Sequence, residues 1–175
     1  MESSSNNKLI LKIMFVILYI KARKQHKTIT SLAEITADGI YIWNGTNPLP
    51  INDTNKFRFD GFKVVFISTG TVNINTNNGL DPTNGSLAII APTIAFHNVV
   101  EEANGIFIAD NITTGSPSNQ GLKIVGNLIA QDSLTNDREW TNDNKPSLFI
   151  VFDQQKYIDL LPYLSTANYD WRQIQ

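Results

Sequence analysis

The sequence predicts an all-β fold, a right-handed parallel β-helix or solenoid with a short C-terminal helix and an aromatic cap. Three observations carry this expectation. One pattern recurs between Phe66 and Ala130: apolar residues two and four places before a corner residue, then two and often four places after it. The corners are Gly70, Pro92, Asp110 and Gly126. Their flanks are Phe66/Ser68 and Val72/Ile74, Ala88/Ile90 and Ile94/Phe96, Ile106/Ile108 and Ile112/Thr114, and Leu122/Ile124 and Leu128/Ala130. Alternation on both sides of a turn residue describes two short strands meeting at a bend. Second, no 3.6-residue apolar period lies between Asn44 and Gln131, so helical crossovers are missing and a coiling chain must supply the crossover itself. Third, the corner falls at the same place in each unit, which the rival antiparallel sandwich does not require.

Taken in order, the chain opens with a small polar stretch, Met1 to Asn7, expected to be disordered. Leu9 to Ile20 (LILKIMFVILYI) is a nearly continuous apolar run, followed by Lys21, Arg23, Lys24, His26 and Lys27. It is shorter than the roughly 20 residues of a spanning helix, and no small-x-small cleavage site follows it. Four readings stay open: a strand or cap over the first coil, an uncleaved anchor, a degenerate export signal, or a mis-called start or truncated larger protein. As an anchor it would associate with a membrane, and the basic run would keep the C-terminal side in the cytoplasm. Residues 1–30 are therefore set apart from a single β-helix domain over 31–175, whose length suffices for one buried core.

Thr28 to Ala37 reads as a strand or one helical turn. Ile40 to Thr46 lines up with Ile106 to Ile112, which makes Asn44 a fifth corner. The steps from 44 to 70, 92, 110 and 126 are 26, 22, 18 and 16 residues, so a fixed unit carries loops of variable length. Those loops (Asn47 to Lys56, Asn75 to Gly85, Thr114 to Gln120) are rich in Asn, Asp, Gly and Pro, which turn the backbone sharply.

Alternation predicts an inward ladder of Phe66, Val72, Ile74, Ala88, Ile90, Ile94, Phe96, Ile106, Ile108, Ile112, Leu122, Ile124 and Leu128. It places Tyr41, Ile67, Ile89, Phe107 and Lys123 in an outward row. Four large apolar side chains on an outer face call for a cover. Either another part of the same chain lies over Tyr41, Ile67, Ile89 and Phe107, or the row is a lateral interface for self-association or a surface protein partner. Leu148 to Phe152 reads as an apolar strand. Asp153 to Leu164 reads as two helical turns capped by Asp153, with Tyr157, Ile158 and Leu161 on one side and a stop at Pro162. The tail with Tyr169, Trp171 and Ile174 then caps the last coil or returns as a strap along the outer row.

Chemistry is sparse. Net charge is -2, without the basic excess that nucleic acid needs, and the chain has no cysteine for disulfides or thiolate metal sites. His26 and His97 stand in unlike contexts without carboxylates at ligand spacing. Glu101 and Glu102 are neighbours that point apart; Asp137, Arg138 and Glu139 read as a solvated charge cluster. No nucleophile elbow, phosphate loop or dinucleotide fingerprint is present. Residues one place after the corners (Gly45, Thr71, Thr93, Asn111, Asn127) carry no charge, which disfavours catalysis along that line. No catalytic, cofactor or metal residues are assigned.

The segments GIFIADNITTGSPSNQGLKIVGNLIA (Gly105 to Ala130), the Arg138 region, LFIVFDQQKYIDLLPYL and the closing DWRQIQ resemble the C-terminal part of uncharacterised bacterial β-solenoid surface and envelope proteins. These are broadly similar to bactofilin-like and pilus-associated β-helix domains. The resemblance implies a noncatalytic structural, adhesive or assembly domain of a bacterial envelope-associated protein, and carries no activity. The alternative is a glycan-binding or glycan-cleaving β-helix, stacking sugars on Tyr41, Trp43 and Trp140 or using carboxylates such as Asp110 and Asp137.

Overall fold

The computed structural model describes residues 25–115, 120–139 and 146–164. Three expectations fall outside them: the role of Leu9 to Ile20, the stacking of Trp140, and the aromatic tail of Tyr169, Trp171 and Ile174. Within them the chain is a parallel β-solenoid of about five coils with one short C-terminal helix.

The strands are β1 (His26–Ile29), β2 (Gly39–Trp43), β3 (Leu49–Asn52), β4 (Lys63–Ser68), β5 (Val72–Asn75), β6 (Ser86–Phe96), β7 (Glu102–Thr113), β8 (Leu122–Thr135) and β9 (Leu148–Val151), followed by α1 (Gln154–Leu164). Every strand pairing is parallel. The register defines three sides. One stacks β1, β2, β4 and the stretches of β6, β7 and β8 around Ile89, Phe107 and Leu128. The second stacks β3, β5 and the C-terminal ends of β6, β7 and β8. The third carries Leu80, the starts of β7 and β8, and β9.

On the second side the expected ladder holds: Val72, Ile94 and Ile112 stack in one column and are fully buried. On the first side the parity is corrected. Tyr41, Phe66, Ile89 and Phe107 form one column, inside the core. Ala88, Ile90, Ile106 and Ile108, expected inside, lie on the outer surface with Ile40, Ile42, Val65 and Ile67. The cause is that both faces of these strands are apolar, so period two has no polar phase to orient it. Coil steps are likewise corrected, to 25 residues (Ile40 to Val65), 23 (Phe66 to Ile89), 18 (Ala88 to Ile106) and 21 (Ile106 to Asn127).

Asx side chains in the loops join successive coils. Oxygens of Asp38, Asn47, Asp53 and Asp60 accept the backbone N–H groups of Lys63, Thr71, Asn77 and Thr83, each one coil further on, at 2.8 to 3.0 Å. The turn formers thus do a second task, satisfying amides where the ladder is interrupted.

Helix α1 covers the outer apolar row. The Asp153 carboxylate accepts from the N–H groups of Gln155 and Lys156, so the expected N-cap is present. The helix runs through Pro162 to Leu164, two residues past the expected stop. The buried face is also different: Leu160 is fully buried against Ile40, Val65, Ile67 and Ile90, with Tyr163 and Leu164 beside it, whereas Tyr157 and Ile158 are exposed. Polar anchors select this face. Ser86 Oγ donates to Asp159 at 2.8 Å, Lys63 pairs with Asp159 at 3.3 Å, and Lys156 Nζ donates to the Gly85 carbonyl at 2.9 Å. This part of the C-terminal region is therefore a strap along the first side and not a cap on the last coil.

The Ser86 hydroxyl, followed by Gln155 and Lys63, holds the Asp159 carboxyl below the usual aspartate range. A carboxyl whose pKa is depressed by folding stabilises above its unfolded value near 3.9, and that contribution fades as pH falls through the folded value. Asp159→Asn is thus expected to lower stability at pH 7, and the gap to the parent chain to close in acid. Urea midpoints measured from pH 7 down to pH 3 check this.

Candidate interaction surface

The two ends of the solenoid are built differently. At the N-terminal end the first core layer is covered by a 3₁₀ turn, Leu32–Glu34, whose Ser31 and Glu34 form a capping box. N–H groups of Thr30 and Ser31 donate to the Glu34 carboxylate and hold its pKa below the ordinary value. Leu32 and Ile35 are buried over Ile29, Leu49 and Ile51. The expected strand or turn at Thr28 to Ala37 is thus a strand followed by a turn. The outer edge of β3 is also closed. Pro50 has no N–H, and the Asn55 carboxamide donates to the Pro50 carbonyl at 2.9 Å while accepting from the Asn52 N–H at 2.8 Å. Those are the bonds the peptide of a neighbouring strand would make, so one side chain stands in for an absent coil.

The C-terminal end has no such cover among the described residues. Core columns that are fully buried one coil earlier become open: Ile112 is 0% exposed and its partner Leu134 45%; Ile124 is 0% exposed and its partner Ile150 46%. Phe149, Val151 and Phe152 are exposed beside them, as are Ile129, Tyr157 and Ile158. Among the described residues the only other exposed large hydrophobic is Phe57, so this surface is concentrated at one end. Two hollows extend it. One of about 330 Å³ is lined by Glu101, Leu122, Lys123, Pro146 and Phe149. The other, of about 500 Å³, lies between β9 and α1 and is lined by Val125, Val151, Phe152, Gln154 and Ile158. Beside the first, Lys123 points outward as expected and pairs with Glu102 at 3.0 Å.

Of the four apolar residues expected in the outer row, only Ile67 faces outward, under the C-terminal helix. Tyr41, Ile89 and Phe107 are core, and Ile67 lies under α1. The sugar-stacking idea loses Tyr41 and Trp43, 4% and 8% exposed, because both side chains fill the first coils. Trp43 Nε1 donates to the Thr46 carbonyl. Of the carboxylates, Asp110 is buried and Asp137 exposed. Among the described residues no three His, Cys, Asp or Glu side chains come together to hold a metal ion. His26 and His97 are both exposed.

Sequence reasoning misjudged Arg138. It is 4% exposed, not solvated, and its guanidinium donates to the carbonyls of Thr114, Gln120 at 3.2 Å and His97 at 2.8 Å. Those acceptors lie on the segments that end β6, end β7 and precede β8, so one side chain ties three coils. Burial lowers its pKa from the ordinary value, opposed by the Glu101 charge. An arginine stays protonated regardless.

These features define the class as a parallel β-solenoid, with one end covered and the other apolar among the described residues. Comparisons with protein-family models, curated proteins and solved structures give no match to this chain.

Proposed function

We propose that this chain is a noncatalytic structural β-solenoid that works in assembly through its C-terminal end, as part of an envelope-associated bacterial protein. The observation that supports assembly is the jump in exposure of the core columns, from Ile112 to Leu134 and from Ile124 to Ile150. Core-register side chains that no described residue covers invite a partner, and β9, which among the described strands pairs only with β8, offers backbone pairing alongside. The envelope reading is supported by Leu9 to Ile20 and the basic residues after it. No helix among the described residues is long and apolar enough to cross a membrane.

Ile150→Lys tests assembly, since a cation in a desolvated contact weakens binding strongly while the same residue in water costs the fold little. In light scattering of the full chain across concentrations, the parent is expected to exceed its 19.6 kDa monomer mass. The variant should need at least about tenfold higher concentration to do so. A parent that stays monomeric throughout would remove this reading.

A further inference from the structure

We infer that Asn44 is a modification site, at which the folded chain deamidates through a cyclic imide. Asparagine is a thermolabile residue, and a following glycine, with no side chain, leaves its own N–H open to react and lets the backbone turn toward the carboxamide. The chain has such steps at Asn44–Gly45, Asn78–Gly79, Asn84–Gly85 and Asn104–Gly105. In the reaction the glycine nitrogen gives its proton to water or hydroxide and bonds to the side-chain carbonyl carbon of the asparagine. The carboxamide C–N bond breaks and its nitrogen leaves as ammonia. Water then opens the imide at either carbonyl, giving aspartate or isoaspartate, each with a new negative charge. Nothing is oxidised or reduced, and the only co-reactant is water.

The fold separates these steps. The Gly79 N–H donates to the Thr76 carbonyl at 3.4 Å and the Gly85 N–H to the Pro82 carbonyl at 3.2 Å, and both glycines are buried. Gly105 is buried inside β7, and the Asn104 carboxamide donates to Asp81 at 2.6 Å. At the first corner the situation differs. Asn44 is exposed, Gly45 is half-buried, and among the described residues neither the Asn44 carboxamide nor the Gly45 N–H makes a hydrogen bond. A side chain at Gly45 would run into the Trp43 ring, so the packing of the first coil requires the residue that makes the step reactive. Isoaspartate would lengthen the main chain by one carbon at this corner. There the Asn44 N–H donates to the Ile29 carbonyl at 2.8 Å, and Trp43 Nε1 to the Thr46 carbonyl at 2.9 Å.

The full chain would be held in warm, mildly alkaline buffer made with heavy-oxygen water, sampled over days, digested in ordinary water and read by peptide mass spectrometry. The heavy label separates conversion in the folded chain from conversion during digestion. Asn44 is expected to convert at least about fivefold faster than the other three, since each of those must first open a hydrogen bond. In urea, where those bonds are lost, the four rates should converge. Asn44→Gln, whose longer side chain closes a ring far more slowly, should remove the main acidic product while leaving the urea midpoint unchanged. Fastest conversion at Asn78, Asn84 or Asn104, equal rates at all four in the folded chain, or no heavy oxygen at Asn44 would overturn the inference.

Discussion

Replacing Gly126 by alanine is expected to dismantle the last coils. Gly126 stacks directly on Gly105, at φ 133° and 153°, outside the range that side-chain-bearing residues comfortably adopt. An alanine Cβ at Gly126 would lie 2.1 Å from the Gly105 carbonyl oxygen, and one at Gly105 would lie 2.7 Å from that of Leu87. The obstacle in both cases is backbone, which no rotamer change can move. The same column carries Val64 and Leu87 in the preceding coils without difficulty. There the strands begin just before the column and a loop makes the bend, whereas β7 and β8 pass unbroken from the third side to the first and must bend within the strand. The expected loss is about 3 kcal/mol or more. With a urea slope of about 1 to 3 kcal/mol per molar, the midpoint should fall by at least ~1 M. Gly61→Ala is the control: φ is 76° but nothing lies within 4 Å of a new Cβ, so only the left-handed strain of about 1 to 2 kcal/mol applies. Equal losses in the two variants would contradict this explanation of the column.

Arg138→Met is expected to have a comparable effect for a different reason. Methionine can fill much of the volume but leaves the carbonyls of His97, Thr114 and Gln120 without their donor. A stranded buried acceptor costs roughly 1 to 3 kcal/mol, and with some reached by water the total should be about 3 kcal/mol. Arg138→Lys should recover only part of this, since a single ammonium cannot reproduce the fork that spans three coils. Chemical unfolding of the three proteins checks the order Arg, Lys, Met. A methionine variant as stable as the parent would show that the three carbonyls find other partners.

Solenoid architecture was legible because the second side alternates cleanly: Val72, Ile94 and Ile112 each follow a corner by two places and point inward. On the first side, runs such as Val64, Val65, Phe66 and Ile67 are apolar at every position, since the outer face is buried under α1. Alternation there cannot distinguish the core from the strap. Coil register slipped at Gly126 because it was equated with the corner at Asp110, when its partner is Gly105. The clue was present in the aligned strings GIFIAD and GNLIAQ, each starting from the glycine of an internal bend. Between them β8 carries an extra residue, a bulge opposite Asp110, which hid the match beyond Ala130. The helix presented two apolar faces, and the choice between Tyr157/Ile158 and Leu160/Tyr163 depended on anchors to Lys63, Gly85 and Ser86, distant in sequence. Arg138 sits between Asp137 and Glu139, so only tertiary structure distinguishes a buried clamp from a surface charge. The apolar C-terminal end was equally illegible: nothing in the sequence around Leu134 and Ile150 separates them from the core residues Ile112 and Ile124 on which they stack.

The association surface is tested most directly by amide hydrogen exchange of the full chain at low and high protein concentration. Amides of β9 and the C-terminal half of β8 are expected to exchange more slowly at high concentration, while those of β3, already closed by Asn55, do not change. Exchange in β8 and β9 that is independent of concentration, or protection appearing at β1 and β3 in its place, would contradict association through the C-terminal end.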